Sequence, residues 1–262
     1  MHYEVDTHTH TLASGHAYNT ITEMAQAAAA KGLKALAITD HTGGKPDRRF
    51  EGAPDDIYFR NFVVIPEELC GIRLLMGAEA NIFNDGTIDL SEKALHRQDI
   101  VIASIHKQCY DDAGIEANTA AVMSVLENPW VDILGHPDGS NWPLDYERVI
   151  AKAAETGTII ELNENSYRDP GIRKNWIENQ RTYLTLCKKW GVPVSIGSDA
   201  HFANTIGQHE HNEGILKEMD FPMELVMNTS AEKLINYLKA RKEKAASAAR
   251  SAADGRHPGT NR

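Results

Sequence analysis

Short runs of aliphatic and β-branched residues alternate along this chain with longer stretches whose apolar positions recur every three to four residues. The short runs predict strands near Glu4–Thr7, Lys34–Thr39, Ile72–Ala80, Ile100–Ile105, Val131–Gly135, Thr158–Asn163 and Val192–Ser198. The longer stretches predict helices, among them Ile21–Lys31, Ala117–Leu126, Leu144–Thr156 and Asn175–Trp190. Strands in regular alternation with helices are the pattern of βα units around a parallel sheet. Local punctuation agrees with this. Thr20 and Glu23 are spaced as a capping box, and Gly32, Gly157 and Gly191 each stand where a helix must stop before a strand begins. Seven such units predict a (β/α) barrel one unit short of the usual eight.

Two segments depart from the alternation. Between the second and third strands, Thr42 to Gly71 form a long excursion whose first half is broken by Gly43, Gly44, Pro46, Gly52 and Pro54. A loop of that length reads either as a lid over a site or as a surface insertion carrying one helix. Beyond Asn236 the chain turns rich in Lys, Ala, Ser and Arg. The expected organisation is therefore one domain over 1–238, followed by a basic, Ala/Ser-rich tail over 239–262: a helix fraying into a flexible end, part of it vector-derived.

Composition narrows the class. The 262 residues suffice for one large core, and 42% hydrophobic with 24% charged residues is ordinary for a globular protein. No apolar run approaches the roughly 18 residues that span a bilayer. The opening Met-His-Tyr-Glu-Val-Asp lacks the pattern of a signal peptide, so a cytoplasmic location is expected. Cys70, Cys109 and Cys187 are an odd number without CxxC spacing, which argues against both a disulfide framework and a thiolate zinc site. The net charge is −10. From Lys239 onward there are seven Lys/Arg against two Asp/Glu, whereas the preceding part has 20 against 35. A body so acidic repels long nucleic acids, so no stable nucleic-acid complex and no membrane association are expected.

The chemistry appears at the strand ends. The first strand runs into Asp6-Thr-His8-Thr-His10, with His16 in the loop beyond, and the second into Asp40-His41. The third contains Glu79, the fourth ends at His106, the fifth at His136-Pro137, and the seventh at Asp199-Ala-His201. Only the sixth, Glu161-Leu-Asn163, lacks an obvious ligand. In a parallel barrel these ends converge on one face. Residues two apart in extended backbone share a side, so His8 can act with His10, and Asp199 with His201. Imidazole with carboxylate is a donor set for zinc, manganese or iron rather than calcium or magnesium. Each histidine alone is as well read as a satisfied core or capping residue, but their joint placement is not. Nine such residues exceed what one tetrahedral ion needs and suit two or three ions if Glu79 bridges. His2, His96, His209, His211 and His257 fall outside strand ends and read as surface or terminal residues. Asp6 and Asp40, beside ligands, can either orient imidazoles or cap backbone.

These residues in this order resemble the PHP (polymerase and histidinol phosphatase) family, over Tyr3 to about Leu238. Ser14-Gly-His-Ala-Tyr18, Gly77-Ala-Glu-Ala-Asn-Ile82 and Phe221-Pro222 are most similar to its stand-alone, YcdX-like phosphatase branch. The resemblance implies a distorted (β/α)7 TIM-like barrel and a trinuclear centre of divalent ions, zinc by preference, with manganese or iron as alternatives. It implies that His8, His10, Glu79 and Asp199 hold a first ion. Glu79 would bridge to a second held by His106 and His136, and His16, His41 and His201 would hold a third. The implied activity is hydrolysis of small phosphomonoesters by a metal-bridging water or hydroxide beside Glu79. Asp138 after His136-Pro137 and Lys107 after His106 depart from the family pattern where substrate contacts are expected. Lys107, Arg60 and Arg49 are the candidate phosphate contacts.

Other classes remain open at this level: a phosphodiesterase or exonuclease, an amidohydrolase-type metallohydrolase, or a non-catalytic metal-binding module. The acidic body speaks against the first, and the Asp199-Ala-His201 ending with His16 against the second. An intact ligand set speaks against the third. Physiological substrate, native metal and oligomeric state are not readable from the sequence.

Overall fold

A computed structural model describes residues 2–168 and 175–254. Seven strands pair in parallel in chain order: β1 (Val5–Asp6), β2 (Ala35–His41), β3 (Ile72–Asn81), β4 (Ile100–Ser104), β5 (Ile133–Leu134), β6 (Ile159–Asn163) and β7 (Val194–Gly197). All seven expected strands are present, several shorter than the sequence pattern suggested. The helices are α1 (Ile21–Ala30), α2 (Asp56–Arg60), α3 (Glu92–Leu95), α4 (Ile115–Leu126), α5 (Tyr146–Thr156), α6 (Trp176–Trp190), α7 (Glu210–Glu218) and α8 (Ala231–Asp254). The capping box of Thr20 and Glu23 opens α1, and left-handed Gly157 and Gly191 close α5 and α6. Among the described residues no helix is long and apolar enough to cross a membrane.

The barrel is nearly closed, and the closure is made by single residues rather than by an eighth strand. Above β1 and β7, Thr9 bridges to Ala200 in parallel, with the His10 N–H donating to the Ala200 carbonyl and the Asp199 N–H to that of His8. Below, the fully buried Asn228 fills the gap. Its Nδ2 donates to the carbonyls of Val5 and Ile196, and its Oδ1 accepts from the Ile196 N–H at 2.7 Å. One amide thus satisfies ladder groups that a missing neighbour strand would otherwise pair.

Strand periodicity separates two environments. Inward positions low in the barrel are apolar: Val5, Ala35, Ala37, Leu75, Ile100, Ile102, Ile133 and Ile159 form one cluster, sealed by Met227, Leu234 and Leu238. The alternate positions, such as Leu36, Ile38, Leu74 and Val101, pack outward against the helices. Continuing the inward alternation upward leads to Thr39 and His41 on β2, Gly77 and Glu79 on β3, and Glu161 and Asn163 on β6. The polar end of the barrel is therefore the C-terminal ends of its strands, and the apolar end is capped by α8.

Helix α8 runs without a break across the expected boundary at 238. Arg241 donates to the carbonyls of Thr156 and Val131 and pairs with the buried Asp132, as does Lys242. The first part of the expected tail is thus docked on the barrel, and its last residues, 255–262 with His257, lie outside the described residues. The cysteines are all free, Cys109 and Cys187 buried and Cys70 exposed.

Candidate metal centre

All nine residues singled out at the strand ends meet at one mouth. Fully buried Glu79 lies at the middle, placed beside His41 by the parallel register of β2 and β3. Its Oε1 is 2.9 Å from His136 Nε2 and 3.2 Å from His106 Nε2. Its Oε2 is 2.8 Å from His41 Nδ1, 3.3 Å from His8 Nε2 and 3.5 Å from His10 Nε2. One carboxylate thus faces two separate sets of imidazoles through its two oxygens. Asp199 Oδ1 stands 3.1 Å from His10 Nε2, and His201 Nε2 is 2.9 Å from His16 Nε2.

The donor atoms are buried yet unspent. His8 Nε2, His10 Nε2, His41 Nδ1, Glu79 Oε2 and Asp199 Oδ1 have no hydrogen bond, whereas buried polar atoms in folded proteins are paired almost without exception. Among the described residues, three groups have their donor atoms within 4.8 Å of one another: His8–His10–Asp199, His41–Glu79–His106 and His10–His41–His201. The chemistry and spacing of this set fit divalent cations. His41 and His10 each belong to two groups, so proximity alone does not divide the residues between ions.

The ring orientations are fixed from behind. His8 Nδ1 donates to Glu161 Oε1 at 2.6 Å, and His106 Nδ1 to Asn81 Oδ1 at 2.7 Å. His16 and His201 direct Nδ1 to the carbonyls of Ser14 and Asp199. His10 Nδ1 donates to Ser14 Oγ, whose own proton goes to Asp40 Oδ1 at 2.7 Å. In these five rings an acceptor holds the Nδ1 proton, which leaves Nε2 as the bare lone pair turned toward the mouth.

The sequence leaves Asp6 and Asp40 the same two roles, orienting an imidazole or capping backbone, and the structure separates them. Asp40 acts on His10 through Ser14 and also accepts from Thr11 and the Tyr58 hydroxyl, so the orienting role fits it. Among the described residues Asp6 makes no hydrogen bond or ion pair with an imidazole. Its carboxylate takes backbone N–H groups of His8, Ser198 and Gly207, which is the capping role. Glu161, passed over as lacking ligand character, is the most consequential omission. It is fully buried and its Oε2 accepts from the His136 N–H and Asn163 Nδ2. A Cβ at Gly197 would lie 2.1 Å from Glu161 Oε1 and 2.7 Å from His8 Cβ, so only glycine leaves room for this pair. The readable signal is a carboxylate between Ile160 and Leu162 in a strand, which needs a donor partner to be buried at all.

Electrostatics follow from this crowding. Burial, reinforced by the His201 charge, pushes His10 down to about 3. Burial likewise holds His41 well below the ordinary imidazole range, and His16 below it. Burial works against ionised Glu79, but His8, His106 and His41 outweigh it and hold that carboxyl well below the usual range. Asp199 behaves in the same way through His8, His10 and His201. His8 runs opposite: burial resists its proton, but Glu161, Glu79 and Asp199 raise it well above the usual value. His10, His16 and His41, held toward the neutral form beside ionised Glu79 and Asp199, form a set that calls for positive charge. His136 and Asp199 also hold backbone φ of 29° and 51°, the left-handed region that non-glycine residues enter at a cost.

The excursion supplies a wall of the mouth. Phe50 stacks on His41 at 4.2 Å and lies 5.7 Å from His16, and the backbones of Gly15 and Gly52 approach so closely that a Cβ on Gly15 would sit 2.6 Å from Gly52. Of the basic candidates, exposed Lys107 follows His106 at the rim. Arg49 pairs with Asp55, and Arg60 faces Asp56 over a separate depression beside Ile57 and Tyr58. His209, read as a surface residue, is buried with its ring against Tyr3. The short loop before α7 folds inward there, which sequence position alone did not indicate.

Comparison with known proteins agrees with this geometry. The family model described as the PHP domain matches residues 6–252. A probable phosphatase of Acetivibrio thermocellus is 45% identical over 93% of this chain and 98% of its own length. Another, from Clostridium novyi, is 42% identical over 92% and 96% respectively. Among solved structures, the histidinol phosphate phosphatase of Lactococcus lactis, crystallised with zinc, L-histidinol and phosphate, shares the fold with a TM-score of 0.61. It is 20% identical over 84% of this chain and 95% of that one.

Proposed function

The chain belongs to the PHP domain family and is a phosphatase, and on that premise we propose that it hydrolyses small phosphomonoesters at a centre of about three divalent cations. The observation that carries this reading is Glu79, whose two oxygens face different histidines while its own Oε2 and four surrounding donor atoms stay unpaired. In our assignment His8, His10, Glu79 and Asp199 hold one ion, Glu79, His106 and His136 a second, and His16, His41 and His201 a third. Zinc suits the imidazole-rich set best, with manganese or iron as alternatives. Bound cations there supply charge neutralisation for phosphoryl oxygens and a water acidic enough to act near neutral pH.

The chain's own groups do the rest. Glu161, Ser14 and Asn81 keep His8, His10 and His106 in the tautomer that offers Nε2. Phe50 shields one side of the mouth from water. Lys107 is the basic residue we assign to a phosphoryl oxygen, because it adjoins His106, whereas Arg49 and Arg60 are engaged with Asp55 and Asp56. The acidic body supports a small substrate over a nucleic acid.

The test compares p-nitrophenyl phosphate, its bis ester and a short oligonucleotide as substrates of the metal-loaded protein. The monoester is expected to be turned over with a kcat/KM at least about tenfold above the other two. Faster cleavage of the diester or the oligonucleotide would overturn the monoester assignment.

A further inference from the structure

Beside the metal mouth, between the loops that follow β4 and β5, lies a second cavity of about 520 Å³. Its wall is apolar: Tyr110, Val122, Leu134, Pro137, Trp142 and Leu144 line it, all buried except the half-buried Trp142. His106, Gln108 and His136 line both this cavity and the mouth. The two spaces therefore share a boundary made partly of the imidazoles nearest Glu79 Oε1. A concave, largely apolar space of this size is typical of sites for small organic ligands.

We propose that this cavity receives the alcohol portion of the phosphomonoester, and that this portion is an uncharged aromatic or branched apolar group. The proposal rests on the phosphatase reading above and adds the substrate class. A phosphoryl group is common to all candidate esters, so its contacts cannot distinguish them, and discrimination falls to the surface that meets the alcohol. An ester held with its phosphoryl group against the Glu79 side of the mouth has this cavity next to it, across His106 and His136.

The wall decides against a cationic alcohol, because none of its six residues carries a charge that could pair with an ammonium. Asp111 is paired with Arg48. Asp112 accepts from the Gly114 N–H and Asn118 Nδ2. Those donors are neutral, so Asp112 stays anionic at the rim, where it offsets Lys107, which forms no ion pair among the described residues. Trp142 and Tyr110 instead offer rings against which an aromatic group can pack.

Three esters of similar leaving-group chemistry separate the outcomes: 3-phenylpropyl phosphate, glycerol phosphate and 2-amino-3-phenylpropyl phosphate. With the metal-loaded protein, kcat/KM is expected to be at least about tenfold higher for 3-phenylpropyl phosphate than for either of the others, mainly through KM. Trp142→Ala is expected to collapse that ratio. Calorimetric binding of 3-phenylpropan-1-ol to the same protein, weakened in Trp142→Ala, reads the cavity directly and does not depend on turnover. Glycerol phosphate hydrolysed as well as the phenyl ester, with no binding of the alcohol, would overturn the cavity assignment while leaving the phosphatase reading intact. Preference for the amino ester would overturn its uncharged character. Binding of the alcohol without hydrolysis of any ester would support the cavity and count against the phosphomonoester reading instead.

Discussion

Glu161 is buried in β6 with each oxygen matched to a donor: Oε1 to the His8 ring, and Oε2 to the His136 backbone and Asn163. Every partner is a donor, so an amide in place of the carboxylate must turn its NH2 toward one of them. Glu161→Gln should therefore loosen His8 or His136 and lower metal affinity by roughly 10–100-fold, with the far-UV circular dichroism unchanged. Competition with a calibrated chelator measures this. An unchanged affinity would mean that Glu161 serves packing alone. At this scale the sequence was most informative where chemistry and position coincided. Histidines and carboxylates at strand ends point into the mouth because the alternation of a strand leaves them no other direction. The supports were harder to read. Ser14 and Asn81 are common polar residues whose role depends on which ring ends up behind them, and that depends on tertiary placement of β1 and β3.

At the scale of elements, the seven strands and main helices were legible because each combines a periodic apolar pattern with a punctuating residue, such as Thr20 before α1 or Gly191 after α6. The closure of the barrel was not legible. Asn228 lies in a short turn before α8, and nothing local marks its amide as the partner of β1 and β7. Asn228→Leu would leave the Val5 carbonyl and the Ile196 N–H without their partner inside the fold, at a cost of roughly 2–5 kcal/mol. Urea denaturation followed by fluorescence checks this, and a midpoint equal to that of the parent protein would show that the strands close without the amide. Helix α8 crosses the boundary expected at 238 for a related reason. A run of Lys, Ala and Arg reads as a solvated end until Asp132, buried on the barrel, is seen to need Arg241 and Lys242.

For the whole molecule, one end of the barrel is apolar and sealed by α8, and the other gathers Glu79, Asp199 and Glu161 out of water among histidines. Buried carboxylates are costly unless opposing charge is near. The same strand ends that make the fold thus create a demand for cations, and relatives matched over nearly their full length are phosphatases by name. Net charge and composition were silent on the cavity beside His136, which exists only once the loops after β4 and β5 stand side by side. The central claim is that one mouth holds several cations around Glu79. Metal analysis by mass spectrometry of the purified protein, beside Glu79→Ala, tests it directly. The parent should carry about three divalent ions per chain and the variant should lose at least the two that share Glu79. A folded, active parent with no more than one ion, or a Glu79→Ala protein that keeps the full complement, would contradict the account.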